Sequence, residues 1–340
     1  MVRFMIADDL TGAADAAVHF AGARAVEVAL PAPGLAFDWA LPADGGLSVL
    51  DTETRNLRDE QAVELITFVC EGLGEGVFKK IDSTLRGPVA AELQAARMAL
   101  GRRATVLAPS LPAQDRVVEA GRLLIDGTVA GSVAEILGVA VVPVPVEALA
   151  EPTLAPLVIV DATTDADLDR IAAACAGRPD LLPAGSAGLA AAFARLEGST
   201  APTAVPAHRR VLVVVASRHR ATDAQLAALV AQPHPAIEVL TIPADARGEP
   251  ALLAAGLGRE VRDRIRPGDA VLATGGDAAL AVSQSLGIAS IRPRAELSPG
   301  VVWSETGRED ITLATKAGGF GGPRLLLDAA LKLLGVEPHG

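Results

Sequence analysis

The sequence contains no tyrosine, two tryptophans and two cysteines, and its 41 acidic residues outnumber its 30 basic ones. A nucleic-acid surface needs basic patches and stacking rings, so the net charge of −11 and the shortage of aromatics argue against such a partner. Cys70 and Cys175 lie far apart along the chain. This spacing indicates buried free thiols rather than a disulfide framework or a zinc site.

Long apolar runs are also absent. Asp8 and Asp9 come before any stretch long enough for a signal peptide, and no uninterrupted run approaches the length of a membrane span. We therefore expect no membrane contact and a cytoplasmic location. With 340 residues, the chain exceeds what one hydrophobic core usually supports, so two domains are expected.

Short apolar runs alternate with Ala- and Leu-rich segments of helical period, which predicts an α/β fold with mainly parallel sheets. Periodicity is lost in Gly198–His208, a stretch rich in Pro, Ala, Ser and Thr that is typical of a linker. We expect two α/β domains, 1–197 and 209–340, joined by a linker at 198–208, with an active-site cleft between them. The predicted strands include runs near Arg3–Ala7, Val26–Leu30, Leu47–Asp51, Gly76–Lys80, Ala270–Ala273, Ile288–Ile291 and Thr312–Lys316.

Two glycine-containing turns stand out in the C-terminal half. Leu272–Ala281 reads L-A-T-G-G-D-A-A-L-A and Lys316–Gly322 reads K-A-G-G-F-G-G, each after an apolar run and before a helix-favouring segment. Bare backbone N–H groups and a helix N-terminus can hold an anion there, so the pair suggests a phosphate-bearing ligand, with Lys316 as a point charge. Asp277 either caps its helix or contacts a metal or a nucleotide hydroxyl.

A third polar segment, Val215–Thr222, follows the first strand of the second domain and reads V-A-S-R-H-R-A-T. It could place Ser217, Arg218 and His219 beside phosphates, although a lone histidine is more often structural. Neither a G-x-x-x-x-G-K-[ST] loop nor a G-x-G-x-x-G fingerprint occurs in the sequence. A bound nucleotide would therefore use another geometry.

Asp8 and Asp9 end the first predicted strand and are followed by Thr11-Gly12 and a helix. Ligands sit at the carboxyl ends of strands in α/β sheets, and adjacent residues face opposite ways, so one carboxylate could face the cleft while the other caps the helix. The alternative is that both only cap. A phosphatase that uses an aspartyl-phosphate would want two aspartates separated by one residue, which makes that class less favoured here.

The densest polar cluster of the first half lies in Phe78–Glu92, between a strand and a helix. Its cations, hydroxyls and carboxylate suit a polyhydroxylated acid, with Arg86 binding the carboxylate and Asp82 or Ser83 taking hydroxyls. A solvated capping loop is the alternative. Leu107–Arg116, stiffened by two prolines, is either a binding loop or a simple turn.

Seven segments, in this order, resemble the four-carbon acid sugar kinase family: I-A-D-D-L-T-G-A-A-D, K-K-I-D-S-T-L-R-G, L-A-P-S-L-P, P-A-G-S-A-G-L-A, A-S-R-H-R-A-T, T-G-G-D and K-A-G-G-F-G. The resemblance spans nearly the whole chain. It implies an ATP-dependent kinase that phosphorylates a terminal hydroxyl of a four-carbon sugar acid such as threonate, erythronate or an oxo-tetronate. It also implies an N-terminal substrate domain and a C-terminal nucleotide domain.

The resemblance assigns residues to both sites. The ATP site would contain Ser217, Gly275, Gly276, Asp277, Gly318 and Gly319, and the sugar acid would face Asp8, Asp9, Lys80, Asp82, Ser83 and Arg86. ATP and Mg²⁺ are the implied cofactors, and the metal ligands stay unassigned. Asp9 or Asp82 is expected to orient or deprotonate the hydroxyl, while Lys316 and the glycine turns stabilise the phosphates.

The chain departs from the family in two places. His219 stands where relatives carry a small hydroxyl residue, and a longer insertion is missing after Asp126-Gly127-Thr128, which leaves the identity of the acid open. A phosphosugar phosphatase and a non-catalytic sugar-acid-binding protein are the alternatives. The expected partner is a small-molecule sugar acid. The Ala-rich helices could bury a homodimer face or only pack on their own sheets.

Overall fold

The structure, a computed structural model, describes residues 1–31, 45–199, 204–217, 219–243, 246–308 and 310–337. Contacts divide the chain into two units, Met1–Val26 with Trp39–Thr200 and Glu27–Asp38 with Ala201–Gly340. Positions 200–203 of the predicted linker lie outside the described residues, and so does Arg218.

The described strands and helices alternate along most of the chain, as the periodicity predicts. Numbered in order, the strands are β1 Phe4–Ala7, β2 Val26–Ala29, β3 Leu47–Asp51, β4 Val77–Lys80, β5 Ala104–Ala108, β6 Arg116–Glu119, β7 Arg122–Ile125, β8 Thr128–Ser132, β9 Val142–Pro143, β10 Leu157–Ile159, β11 Leu181–Gly185, β12 Val211–Val215, β13 Ile237–Thr241, β14 Ala270–Thr274, β15 Ser290–Ser298, β16 Val301–Thr306 and β17 Thr312–Lys316. The helices are α1 Leu10–Ala17, α2 Asp59–Cys70, α3 Val89–Ala99, α4 Val133–Leu137, α5 Asp165–Cys175, α6 Ala187–Leu196, α7 Arg220–Ala231, α8 Pro250–Arg264, α9 Gly276–Leu286 and α10 Leu325–Leu333.

The first unit contains a parallel sheet with the strand order β3-β1-β4-β11-β5-β10-β9. β1, β3, β4, β5 and β11 are buried along their whole length, which explains why they read as continuous apolar runs rather than alternating ones. A separate antiparallel sheet, β6-β7-β8, follows β5. The connections between parallel strands place the polar residues that follow β1, β3 and β4 at one edge of the main sheet.

The second unit contains a mixed sheet with the order β13-β12-β14-β17-β16-β15-β2. β13, β12, β14 and β17 are parallel, whereas β17, β16, β15 and β2 pair antiparallel in turn. Val211, Val213, Leu272 and Ala314 belong to its buried core, together with the apolar face of α10. This arrangement confirms the expected α/β class with mostly parallel strands.

Three features differ from the sequence predictions. The run predicted near Val26–Leu30 pairs antiparallel with β15, so 27–31 group with the second unit although the predicted first domain included them. The short strand predicted near Ile288–Ile291 is a nine-residue strand, Ser290–Ser298, followed by an unpredicted partner, β16. The β6–β8 sheet was not predicted either, because its residues are half exposed and mix apolar with charged side chains.

Cys70 and Cys175 are free and buried, as the spacing predicts. Burial raises the pKa of each thiol to about 12, so neither is a ready nucleophile. Within the described ranges, no helix has the length and hydrophobicity needed to cross a membrane.

Candidate functional sites

The first candidate site lies where β3, β1 and β4 end. Ala7 is paired with Asp51 on one side and with Lys80 on the other, so the residues that follow these three strands meet at one edge. Asp8, Asp9 and Asp82 are therefore neighbours although they are far apart in sequence. The structure brings all the residues predicted for the sugar acid to this edge.

Arg55, a residue that the sequence analysis did not select, joins the first two carboxylates. Its Nε donates to Asp8 Oδ2 at 2.8 Å and its Nη2 lies 2.6 Å from Asp9 Oδ1. Burial acts to raise the pKa of Asp8, but the positive charges of Arg55 and Lys80 outweigh this effect. The net result is a pKa below the ordinary value. Asp8 Oδ1 has no hydrogen-bond partner among the described residues.

Asp9 caps the helix that follows it. Its Oδ1 accepts the backbone N–H of Gly12 at 2.9 Å, and its Oδ2 accepts the hydroxyl of Thr11 at 2.5 Å. The capping interpretation therefore applies to Asp9, and Asp8 keeps the unpartnered oxygen. The two neighbours have different surroundings, as the alternation of strand residues predicts.

Asp82 is surrounded by donors. Arg86 binds it with Nε to Oδ2 at 2.9 Å and Nη2 to Oδ1 at 2.7 Å, and Thr84 donates its backbone N–H to Oδ2 at 3.1 Å. Burial favours the neutral acid, but the hydrogen bonds from Arg86 and the charge of Arg55 prevail and lower the pKa of Asp82 far below its ordinary value. Asp82 is therefore a firmly ionised carboxylate with its lone pairs engaged.

The remaining predicted residues are also in place. Arg116, at the start of β6, donates from Nη1 to Ser83 Oγ at 2.6 Å, which makes it a member of this site. Lys80 Nζ donates to the carbonyl of Ile81 at 2.9 Å and is buried. Ser110 and Ser186, which lie on neighbouring loops, bond to backbone groups and serve as structural residues.

The accessible part of this edge is cationic. The side chain of Arg86 is 63% exposed, Arg55 and Arg116 are half-buried, and Asp8, Asp9 and Asp82 are buried beneath them. A ligand that approaches this edge therefore meets guanidinium groups first. Such an arrangement suits an anion that carries a planar carboxylate.

The second candidate site lies where β12, β14 and β17 end. Thr274 is paired with Val215 on one side and with Lys316 on the other, so the three loops that follow these strands begin side by side. Ser217, Gly275 and Gly318 come from one loop each. The structure thus brings together the residues predicted for the nucleotide.

Two glycines are required by this packing. Gly275 has φ +98°, a conformation that residues with a Cβ rarely adopt, and α9 starts directly after it. A Cβ at Gly318 would overlap the hydroxyl of Ser217. The backbone can therefore approach closely, which leaves N–H groups and the N-terminus of α9 available for an anion.

Lys316 lies beside the glycine turn, as predicted, and its side chain is buried there. Its Nζ is fully buried and donates to the carbonyls of Ala317 at 2.9 Å and Gly318 at 3.0 Å, with Thr274 Oγ1 at 3.5 Å. Burial lowers the pKa of Lys316 to about 8. The ammonium group lies beneath the glycine turn, where backbone oxygens engage its protons, rather than in the open.

Helix α7 supplies two residues that the sequence analysis did not select. Thr222 Oγ1 donates to the carbonyl of Gly318 at 2.7 Å, and Gln225 Nε2 donates to those of Phe320 at 2.8 Å and Gly321 at 2.9 Å. Their spacing of three residues places both on one face of the helix. Two polar residues on a buried helix face are the sequence signal that could have identified them.

His219 and Asp277 stand at helix starts. His219 caps α7, its Nδ1 accepting the backbone N–H of Ala221 at 3.2 Å. Asp277 lies in the first turn of α9, next to Gly275 and Gly276, and is half-buried. No group of three or more metal-ligating side chains occurs within the described residues.

Comparison with known proteins agrees with two separate sites, one in each half of the chain. A family model for a sugar-binding N-terminal domain matches residues 4–135, and one for a nucleotide-binding C-terminal domain matches residues 240–326. The chain is 32% identical to the D-threonate kinase of Bordetella bronchiseptica over 396 residues, covering 96% of each protein. The chain belongs to the four-carbon acid sugar kinase family.

Two further comparisons concern part of the sequence and the fold. The chain is 32% identical to the 3-oxo-tetronate kinase of Cupriavidus necator over 228 residues, covering 53% of this chain and 52% of that one. A solved structure of a Haemophilus influenzae protein superposes with a TM-score of 0.69 at 19% identity, covering 97% of this chain and all of that one. The latter similarity supports the fold of this four-carbon acid sugar kinase family member.

Proposed function

We propose that this protein is an ATP-dependent kinase that phosphorylates a hydroxyl group of a four-carbon sugar acid. The observation that carries this proposal is the full-length similarity to a D-threonate kinase. It is joined by the two separate polar sites at the carboxyl ends of strands, of which the first is cationic and the second is glycine-rich. A phosphatase or a binding protein is not favoured, because a nucleotide-binding domain would have no task in either.

In this proposal the first unit holds the acid. Arg86, Arg55 and Arg116 bind its carboxylate and flanking hydroxyls, and Ser83 and Lys80 contribute further donors. Asp8, Asp9 and Asp82 hold these cations in place.

Asp9 and Asp82 stay the carboxylates predicted to orient or deprotonate the reacting hydroxyl. Because their oxygens already accept several hydrogen bonds, we favour orientation, which suits the loose transition state of phosphoryl transfer.

The second unit holds the nucleotide. Ser217, Gly275, Gly276, Gly318 and Gly319 surround the phosphates. Gly276, Gly318 and Gly319 offer backbone N–H groups and Ser217 offers a hydroxyl, whereas the N–H of Gly275 donates to the carbonyl of Lys316 at 2.9 Å and this residue contributes only its lack of a side chain. A divalent ion, when bound with ATP, neutralises phosphate charge, and the half-buried carboxylate of Asp277 is a fitting hard ligand for Mg²⁺. The homodimer and the cytoplasmic location stay predictions.

A coupled ADP-release assay tests the function. D-threonate, L-threonate, D-erythronate and 3-oxo-tetronates are each offered with Mg-ATP, and we expect turnover on at least one of them. Phosphate release from a phosphosugar without nucleotide would instead support the phosphatase, and acid binding without ATP consumption would support the binding protein.

A matched pair of arginine variants tests the acid site. Arg86 and Arg170 form similar local ion pairs and are similarly exposed, at 63% and 65% of the side chain. We expect Arg86→Met to raise KM for the acid by about 100-fold, the loss of a hydrogen bond to a charged group. Arg170→Met, on helix α5, should leave both KM values unchanged. Equal behaviour of the two variants would contradict the proposed acid site.

A further inference from the structure

The glycine turn at 317–322 has its carbonyl groups engaged by buried side chains. Lys316 Nζ donates hydrogen bonds to the carbonyls of Ala317 and Gly318. Gln225 Nε2 donates to the carbonyls of Phe320 and Gly321. Thr222 adds a second donor to Gly318. Four carbonyl groups of five consecutive residues are thus directed into the fold.

This orientation determines where the N–H groups of the turn point. In a trans peptide, the C=O of one residue and the N–H of the next are antiparallel, and the described part of the chain has no cis peptide bond. Carbonyls held inward at 317, 318, 320 and 321 therefore direct the N–H groups of the following residues outward. Those residues are Gly318, Gly319, Gly321 and Gly322.

The surroundings of these four N–H groups agree with this geometry. Within the described residues, no protein oxygen accepts a hydrogen bond from any of them, whereas the N–H of Phe320 donates to Ala317 at 3.2 Å. Gly318 and Gly319 are half-buried, and Gly321 and Gly322 are exposed. Unpaired N–H groups on one surface are the elements of an anion-binding nest.

We infer that Lys316, Thr222 and Gln225 form an internal clamp that presents the glycine N–H groups of this turn to the nucleotide phosphates. The clamp residues are positioning residues, because in this proposal they act on the ligand through other protein groups: the carbonyls of the turn and, for Thr222, also the hydroxyl of Ser217 at 3.3 Å. This inference rests on the proposed kinase function, and it replaces the predicted role of Lys316 as a direct phosphate contact.

The choice of side chains fits this task. An ammonium group has three donors and no acceptor, which matches two carbonyls and one hydroxyl around Lys316 Nζ. The side chain of Gln225 is fully buried, and its Oε1 has no partner among the described residues. An unsatisfied buried acceptor costs free energy, so the two hydrogen bonds from Nε2 are what justify an amide at this position.

Substitutions on α7 separate the clamp from general folding effects. Thr222→Val keeps the shape and removes the donor, Thr222→Ser restores the donor, and Gln225→Met removes the amide at similar size. Val230→Ala, on the exposed face of the same helix, is the matched control. Each variant is assayed for KM of ATP and of the acid, and ATP and adenosine affinities are measured by calorimetry.

We expect Thr222→Val and Gln225→Met to raise KM and Kd for ATP about tenfold, with KM for the acid and Kd for adenosine unchanged. Thr222→Ser and Val230→Ala should match the unmodified protein. Equal weakening of ATP and adenosine, or unchanged ATP affinity in both clamp variants, would overturn the clamp. A protein that binds no ATP at all would overturn the proposed function as well, and this result differs from the other two.

Discussion

Arg86 binds Asp82 through two parallel hydrogen bonds, Nε to Oδ2 at 2.9 Å and Nη2 to Oδ1 at 2.7 Å. The carboxylate is buried and the guanidinium is mostly exposed, so the pair holds a cation at the surface in a fixed orientation. A fork that is already aligned loses less freedom when a second carboxylate binds. The pair therefore links the fold of the loop after β4 to recognition of an acid.

Replacement of Asp82 by Asn should impair this recognition. Asp82→Asn keeps the shape but removes the charge that orients Arg86, so we expect kcat/KM for the acid to fall about 100-fold. KM for ATP should change by less than about twofold, because every described contact of Asp82 lies within the first unit. Steady-state kinetics with each substrate varied in turn measures both effects. An equal rise in the two KM values would show that Asp82 acts on the whole fold.

Asp51 gives a prediction about stability. It is fully buried at the end of β3, and its Oδ1 accepts the N–H of Glu53 at 3.1 Å. Burial, and then the nearby carboxylates of Glu53 and Asp9, raise the pKa of Asp51 well above its ordinary value. The unfolded chain thus releases this proton at lower pH than the folded chain does, so the contribution of Asp51 to stability falls as the pH rises from about 4.

Asp51→Asn keeps the shape of the neutral acid and does not titrate. We expect it to be more stable than the unmodified protein at pH 7, and the difference to shrink towards pH 4. Urea unfolding at both pH values measures this change. A variant that is less stable at pH 7 would mean that the folded protein holds Asp51 as a carboxylate.

Much of the fold was predictable because buried parallel strands read as short apolar runs. Leu47–Asp51 and Thr312–Lys316 have the predicted bounds. The alternation of strands and helices predicted mainly parallel sheets, but it did not show which strands pair antiparallel, because side chains alternate between the two faces in both arrangements. For this reason the antiparallel pairs formed by β15 and β16 emerge only from the structure.

The candidate sites were predictable in part for a related reason. Polar residues that directly follow an apolar run, such as Asp8 and Asp82, lie at strand ends, where the sheet brings them together. Arg55 comes four residues after β3, and Gln225 lies inside a helix, so neither follows a strand directly. Their roles depend on contacts between distant segments, which a single sequence does not specify.

Lys316 gives a prediction for alkaline pH. Burial lowers its pKa from 10.5 to about 8, so the folded protein loses this proton before the unfolded chain does. Between pH 8 and 10.5 the unfolded state binds more protons, and the stability contribution of Lys316 rises with pH, by up to about 1.4 kcal/mol per unit. The methionine side chain of a Lys316→Met variant has a similar length and does not titrate.

We therefore expect the free energy of unfolding of the unmodified protein to increase relative to Lys316→Met from pH 8 to pH 10. The comparison cancels the groups that the two proteins share, and the chain has no tyrosine to titrate in this range. Urea titrations at pH 7.5, 8.5 and 9.5 measure the difference. A constant difference would mean that the surrounding oxygens keep the pKa of Lys316 near that of a free lysine.

His219 has two edges with separate tasks. Its Nδ1 accepts the N–H of Ala221 at 3.2 Å and caps α7, so the neutral ring carries its proton on Nε2. The Nε2 atom lies beside the glycine turn, because a Cβ placed on Gly319 would be 3.4 Å from it. His219→Asn retains a capping side chain, whereas His219→Ala loses the cap and about 1 kcal/mol of stability. We expect both variants to raise KM for ATP severalfold, and only the alanine variant to lower Tm. If His219→Asn matched the unmodified protein in ATP affinity, the ring would serve the helix alone.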